Sequence, residues 1–197
     1  TFGYGLIYNS NNNNIDRLTF AVGNYSGSLA YTYDKLQRVT RKTLTLALGG
    51  TTTATAYVDY EFRSVNARTS PLVSKYTSTI CGASITYNYT YDANGNITRI
   101  VDGNGKNTYY TYDDIGQLIR EDNEILSKTY VYTYDNAGNR LSKKTYAFTT
   151  GSLGALQSTE SYTYASDSEY GNGMGDWLMY MKGYELSYDN VGNPTEY

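Results

Sequence analysis

Three copies of one phrase constrain this chain more than anything else in it: Tyr89-Thr-Tyr91-Asp92-Ala-Asn-Gly95-Asn-Ile97, Tyr110-Thr-Tyr112-Asp113-Asp-Ile-Gly116-Gln-Leu118 and Tyr132-Thr-Tyr134-Asp135-Asn-Ala-Gly138-Asn-Arg-Leu141. Their aspartates stand 21 and then 22 residues apart. A period of that size and regularity belongs to stacked repeats, in which each unit buries its faces only against its neighbours.

The phrase has a physical reading. Strand side chains alternate with period two, so tyrosines at i and i+2 share one face, and aromatic residues suit a pleated, half-buried surface. Asp-x-x-Gly then reads as a type I turn closed by a left-handed residue: the aspartate side chain bonds the backbone two residues on, and glycine takes positive φ without steric cost. An Ile or Leu shortly afterwards starts the return strand. Each phrase is therefore expected to be a β-hairpin tip, built as a type I turn plus a bulge. On this reading Gly95, Gly116, Gly138 and a fourth glycine, Gly192, have positive φ.

Along the chain, Leu6-Ile7-Tyr8 and Arg17-Leu18-Thr-Phe20 flank the polar run Asn9 to Asn14, a hairpin with a long asparagine tip. Tyr31-Thr-Tyr33-Asp34-Lys-Leu-Gln37 repeats the phrase with Gln37 in place of glycine, which predicts a non-glycine residue at positive φ or an altered turn. Arg38 to Ala56 reads as two strands joined at Gly49-Gly50. Tyr57-Val-Asp-Tyr60-Glu61 is a degenerate phrase, and its return segment through Pro71 is expected to be irregular, because proline cannot donate to a ladder. Leu126 to Tyr134 and Leu141 to Phe148 alternate again, and Thr149 to Gly154 reads as a small, flexible connection. In Tyr162-Thr-Tyr164 the expected aspartate is Ala165. Ser166 to Asp176 is a glycine-rich excursion, Asp176 to Met181 has the makings of one short helical turn, and Tyr188-Asp189-Asn-Val-Gly192 closes the series. The fold class is all-β, stacked antiparallel hairpins with negligible helix and more than half of the residues in strands. The whole of 1–197 reads as a single repeat region.

Composition narrows the function classes. Tyrosine supplies 25 of the aromatic residues against four Phe and one Trp, which suits surfaces apolar on one side and hydrogen-bonded on the other. A net charge of −3, with 16 scattered basic residues, leaves no electrostatic footprint for nucleic acid. One cysteine, Cys81, excludes an intrachain disulfide, and no apolar run approaches the roughly 20 residues of a membrane-spanning helix. With no histidine, Ser-His-Asp and Cys-His catalysis and histidine-ligated metal sites cannot be built from this chain.

The remaining constellations favour structure over chemistry. Asp113-Asp114 and Glu121-Asp122 are carboxylate pairs of the kind glycoside hydrolysis uses, but aspartate in a predicted turn already has a capping role. Asp92, Asn94, Asn96, Asp102 and Asn104 offer clustered oxygens to a hard cation, without the nested spacing of a calcium-binding roll. Gly103-Asn104-Gly105 opens no helix, so it does not read as a phosphate loop. Asn24, Asn88 and Asn96 begin glycosylation triplets, relevant in a secretory pathway. No cofactor and no metal are expected.

Tyr-x-Tyr-Asp-x-x-Gly-x-Leu at about 21 residues resembles the YD repeat of RHS-repeat proteins, a family with the Rhs polymorphic toxins, the C components of insecticidal toxin complexes, wall-associated proteins and teneurins. The repeat residues that match are Tyr31, Tyr33 and Asp34; Tyr89, Tyr91, Asp92 and Gly95; Tyr110, Tyr112, Asp113 and Gly116; Tyr132, Tyr134, Asp135 and Gly138; and Tyr188, Asp189 and Gly192. Gly175-Asp-Trp177-Leu before the last copy is similar to a spacer of such proteins. The resemblance implies a long, spiralling β-sheet forming the wall of a hollow shell that, in many members, encloses a C-terminal toxin. Members that release cargo carry an Asp-Pro-x-Gly run, which does not occur in this sequence. The resemblance further implies a secreted or cell-surface location and a non-catalytic scaffold. The alternative is a module that binds carbohydrate or a surface receptor through its tyrosine faces. The expected partners are the rest of a parent chain, or further copies through sheet edges at Tyr4 to Tyr8 and Glu185 to Tyr188.

Overall fold

The computed structural model describes residues 2–66, 68–165, 177–189 and 193–196. More than half of these lie in strands and none in a helix. The strands are β1 (Phe2–Tyr8), β2 (Ile15–Val22), β3 (Tyr25–Tyr33), β4 (Val39–Leu48), β5 (Thr51–Val65), β6 (Arg68–Ile80), β7 (Ala83–Tyr91), β8 (Ile97–Asp102), β9 (Asn107–Tyr112), β10 (Leu118–Asn123), β11 (Lys128–Tyr134), β12 (Arg140–Ala147), β13 (Leu156–Tyr164), β14 (Leu178–Met181) and β15 (Tyr184–Glu185). β16 (Ser187–Tyr188) and β17 (Pro194–Glu196) form a separate two-stranded sheet. Strand order is sequence order from β1 to β15, an open arrangement without closure into a barrel. Such a meander is what short turns between alternating segments dictate, since each strand can pair only with the one just made.

The chain divides into two compact units, 1–95 with 100–105, and 96–99 with 106–197. In the first unit the register sorts side chains by face. Leu6, Leu18, Leu29, Leu44, Ala56, Ile80 and Ala83 are direct cross-strand partners over seven strands. One residue along, on the opposite face, Gly5, Thr19, Ser28, Thr45 and Thr55 form the matching row. One face is therefore apolar and the other hydroxyl-rich. The hydroxyl face also carries the Arg41–Asp59 and Lys75–Glu61 ion pairs. Tyrosine stacks on tyrosine across strands on the apolar face: Tyr60, Tyr76 and Tyr87 are register partners, with ring centroids 5.8 and 6.3 Å apart. Phe20 lies over its partner Gly27, where a Cβ would come within 2.4 Å of the ring, so glycine leaves the room the aromatic ring fills.

In the second unit the buried side chains are mainly small and polar. Thr108, Thr129, Thr145 and Asn123 are buried, joined by Tyr162, Ala165 and Leu186. Thr129, fully enclosed, donates from Oγ1 to Asp122 Oδ1 at 2.7 Å, and Asp122 in turn accepts from the Arg120 guanidinium at 2.8 and 2.9 Å. The buried hydroxyl is tolerable because it has its partner, and the half-buried carboxylate has two.

Three expectations need correction. The degenerate phrase at Tyr57 to Glu61 makes no turn: β5 runs straight through it, and the chain reverses only beyond Val65, at Asn66. Aromatic and β-branched residues from Tyr57 to Phe62 continue the strand pattern, and no glycine interrupts it. Irregularity does occur opposite Pro71, where the register jumps from Phe62↔Val73 to Ser64↔Thr69 and leaves Pro71 out of the ladder. The second correction concerns Asp176 to Met181: Asp176 lies outside the described residues, and Leu178–Met181 is strand, because Tyr162-Thr-Tyr164 offers it an edge to pair with. Glu185 to Tyr188 is likewise not one strand, since buried Leu186 separates β15 from β16.

Candidate functional site: the turn row and its tyrosine latches

The repeat aspartates build the hairpin tips as the phrase predicts. The Asp113 carboxylate accepts the N–H groups of Ile115 at 3.1 Å and Gln117 at 2.8 Å, while Gly116 N–H donates to the Asp113 carbonyl at 3.1 Å. Asp135 does the same with Ala137, Asn139 and Gly138, at 2.9, 2.8 and 3.2 Å. Asp34 takes Leu36 and Arg38, Asp92 takes Asn94, and Asp189 takes Asn193. Gly95, Gly116 and Gly138 have φ of 91°, 85° and 91°. Gln37, standing where glycine is missing, is at 64°, and its side-chain oxygen accepts from Asn12 and Asn14. Register shifts fall beside the tips, between Thr32 and Tyr33 and between Thr133 and Tyr134, and are the expected bulges. Gly192 lies outside the described residues. A Cβ at Gly116 would meet nothing within 4 Å, so Gly116→Val tests the backbone alone. We expect a loss of about 1–2 kcal/mol from a β-branched residue at positive φ, read from the urea midpoint, against a smaller loss for Gly116→Asn.

The second tyrosine of each phrase has a role that its spacing does not announce. Its phenol reaches back to a backbone carbonyl on the preceding strand: Tyr33 to Ile15 at 2.8 Å, Tyr91 to Val73 at 2.6 Å, Tyr112 to Ile97 at 2.8 Å, Tyr134 to Leu118 at 2.7 Å and Tyr164 to Arg140 at 3.2 Å. Tyr188 on β16 donates to the Leu178 carbonyl at 2.8 Å, reaching past β15 to β14. Except for Val73, every acceptor is the first residue of its strand, the point at which a ladder leaves a carbonyl short of a partner. Each repeat is thus tied to the one before it by a hydroxyl as well as by ladder bonds. Strand alternation accounts for these rings sharing one face and leaves their hydroxyls unassigned. The signal for them was the choice of Tyr over Phe, 25 to four.

Of the first tyrosines, Tyr31, Tyr89, Tyr110 and Tyr132, Tyr31 stacks on Tyr33 of its own phrase, with ring centroids 6.5 Å apart. Burial pushes the Tyr132 phenol up to about 12, helped by the nearby Glu121 carboxylate. Burial also raises Tyr89, Tyr91, Tyr134 and Tyr162. A phenol whose folded pKa lies above its unfolded value gives stability that is complete below pH 10 and is lost as the pH climbs from there towards 12. The expected result is alkaline unfolding in that window, accompanied by cooperative phenolate release in an ultraviolet titration. Independent titration of all tyrosines with no change in circular dichroism would contradict it. At the acid end, desolvation works against the Asp135 carboxylate but is outweighed by the N–H donors of Asn139, Ala137 and Gly138, which hold it below the ordinary aspartate value. Arg38 and its backbone N–H do the same for Asp34. These contributions are present above the usual carboxylate range and fade as the pH drops through the lowered values.

The chemical candidates are dispersed by the fold. Glu121 and Asp122 are consecutive on β10 and face opposite sides of the sheet, Glu121 bonded by Asn123 and Asp122 by Arg120 and Thr129. Asp113 is occupied as a turn acceptor, and Asp114 is exposed at the tip. Asp102, Asn104 and Gly105 form a further Asp-x-x-Gly turn, with Asn104 N–H on Asp102 Oδ1 at 2.9 Å and Gly105 N–H on the Asp102 carbonyl at 3.1 Å. Among the described residues no group of three or more acidic or cysteine side chains converges as a metal site would require.

Known proteins share this architecture. The RHS Repeat family model matches residues 91–124, the segment that holds Tyr91, Tyr112 and the Asp92 and Asp113 turns. No curated protein matches the chain. Among solved structures, the crystal structure of TcdB2-TccC3-Cdc42 is similar at 17% identity over 98% of this chain, with a TM-score of 0.52. The crystal structure of TcdB2-TccC3 without its hypervariable C-terminal region is similar at 16% identity over 98%, with a TM-score of 0.51. This chain spans 12% of the length of each of those chains. At such identities the likeness is one of fold, an open antiparallel sheet of repeats.

Proposed function

We propose that the chain around its RHS repeat at 91–124 is a non-catalytic wall segment of an RHS-type β-shell, and that the whole of 1–197 serves as one repeat region. The observation that carries this reading is the latch series, a bond made by the second tyrosine of successive repeats to the strand before, which makes the sheet extensible in one direction by adding like units. A wall also needs two unlike faces. The Leu6 to Ala83 row leaves Ile80 62% and Leu6 43% exposed on the apolar face, more apolar surface than a free-standing sheet usually leaves open. In the shell that face is covered by what the shell encloses, which in many members of the RHS family is a C-terminal toxin. The names of the structural neighbours place TccC3 with TcdB2, so a second chain of the same assembly is the partner class that fits, in a secreted or cell-surface setting.

Electron microscopy of the chain expressed with whatever its reading frame adds on either side tests this reading. A hollow particle with the Leu44 and Ile80 row on its inner surface is expected, and a solid sandwich in which that row packs against a second sheet would refute it. Among the described residues the outermost strands of the sheet, β1 and β15, each have one unpaired edge, so the 197-residue chain is expected to associate with rising concentration in sedimentation velocity. A monomer at all concentrations removes the edge argument and leaves the wall reading intact.

A further inference from the structure

Charge is distributed unevenly along the strands of the first unit. The stretches 18–33, 43–58 and 76–91 contain no Asp, Glu, Lys or Arg, and neither does β1. Each stretch is a hairpin closed by a short tip, Gly23-Asn24, Gly49-Gly50 or Cys81-Gly82, and in a meander these three tips fall on the same margin of the sheet. Charges gather in the opposite half, among them Asp34, Arg38, Asp59, Glu61, Lys75 and Asp92. Along the neutral margin Val22, Tyr25 and Leu48 are register partners and form the outermost apolar row, at 51%, 65% and 46% exposure. Tyr4 and Leu46 stand in the next row inward and are also exposed. The reverse face of the margin presents small neutral residues, Ala21, Ser26 and Ala47, then Thr19, Ser28 and Thr45.

Docking to another protein engages one face of a sheet and leaves the other free to carry charge. Here both faces are neutral, which suits a medium that surrounds the margin on both sides. Tyrosine favours the headgroup level of a bilayer, and serine and threonine hydroxyls find acceptors there in lipid phosphates and carbonyls. From this distribution we infer that the tips at 23–24 and 49–50 form a lipid-binding margin that enters the headgroup layer of a bilayer tips first. The third tip closes at the Ile80 row, two rows further in, so the first two lead. Gly49 N–H donates to the Asn24 carbonyl at 2.8 Å and ties the leading tips to each other. Two rows set two residues apart reach about 7 Å along the strands, the depth at which interfacial elements lie. The hairpins do not span: their shortest neutral runs, 18–22 and 43–48, cover about 17–20 Å, against a hydrocarbon core of about 30 Å. The leading rows lie beyond the Leu44 row on which the wall reading rests, so the two uses do not compete for the same residues.

Flotation of the 197-residue chain with phosphatidylcholine vesicles on a density gradient tests this. Co-flotation is expected, not weakened between about 0.1 and 1 M salt and not strengthened by phosphatidylserine, because no charge takes part. Tyr25→Lys combined with Leu48→Lys, both at exposed positions so that circular dichroism stays that of the parent chain, should weaken partitioning at least about tenfold, since two apolar side chains are withheld from lipid. Ile85→Lys is the control: Ile85 is 59% exposed on the same face but stands in the Lys42 row, well back from the margin, and the variant should float like the parent. Dye trapped in the vesicles is expected to stay inside. No flotation, flotation lost at high salt, or an Ile85→Lys effect as large as that of the double variant would each overturn the inference, and dye release would do so by revealing a spanning element. If the chain ignores vesicles and the double variant instead abolishes self-association, the margin belongs to a second copy and the lipid assignment falls. None of these outcomes bears on the shell reading, whose test is the hollow particle.

Discussion

Gly154→Ala should destabilise the second unit by about 3 kcal/mol, at the upper end of what an overpacked site costs. A Cβ there would lie 2.2 Å from the Ala147 carbonyl oxygen and 3.0 Å from its carbon, both backbone atoms. They cannot retreat, because Ala147 pairs with Lys128 in the β11–β12 ladder, its N–H donates to the Ala155 carbonyl at 2.9 Å, and Phe148 N–H donates to Ser127 at 3.1 Å. Gly151→Ala makes the informative control. That residue sits at φ 81° with nothing within 4 Å of a Cβ, so it incurs only the conformational term, about 1 kcal/mol. A urea midpoint for Gly154→Ala no lower than that of Gly151→Ala would show that the connection yields.

That contrast marks where the sequence stops being legible. Thr149 to Gly154 reads as small and flexible because composition speaks only of conformational freedom. In the structure residues 149–153 are exposed, with Thr149 Oγ1 donating to the Ser152 carbonyl at 2.8 Å, and it is Gly154 alone that lies close against the β12 backbone. Close approach between segments is a tertiary fact and leaves no local signature beyond the glycine itself. The tips were legible for the opposite reason: Asp92, Asp113 and Asp135 bond residues two and four positions away, so sequence spacing and spatial geometry coincide. Gln37 shows the same, its positive φ following from register with the glycine copies alone. The degenerate phrase at Tyr57 failed because two aromatics and an aspartate do not define a turn without a residue able to close it. Asp59 there bonds Arg41 across the sheet instead. The latch acceptors stayed hidden because they are carbonyls, identical at every position and chosen only by the register of the neighbouring hairpin.

Replacing both Tyr112 and Tyr134 by Phe should cost about 2 kcal/mol, nearly the whole effect coming from two oxygen atoms. The rings and their buried area survive, so the loss is that of two hydrogen bonds whose acceptors, the carbonyls of Ile97 and Leu118, are then short of a partner, about 1 kcal/mol each. The two sites are not independent. Leu118, which accepts from Tyr134, is itself the register partner of Tyr112, so freeing one phenol loosens the strand end on which the next depends. A double-mutant cycle should therefore show a coupling of a few tenths of a kcal/mol rather than simple additivity. Tyr130→Phe is the reference, since Tyr130 meets Lys143 through its ring, at 4.8 Å, and phenylalanine keeps a ring face there. If Tyr134→Phe shifts the urea midpoint no more than Tyr130→Phe does, the repeats are held by their ladders alone, and tyrosine at the second position of the phrase has some other cause. If the full loss appears, the latch explains why that position is occupied by tyrosine in each of the best copies, and a sheet assembled from such units resists peeling at its tips, where a two-stranded hairpin on its own would fray first.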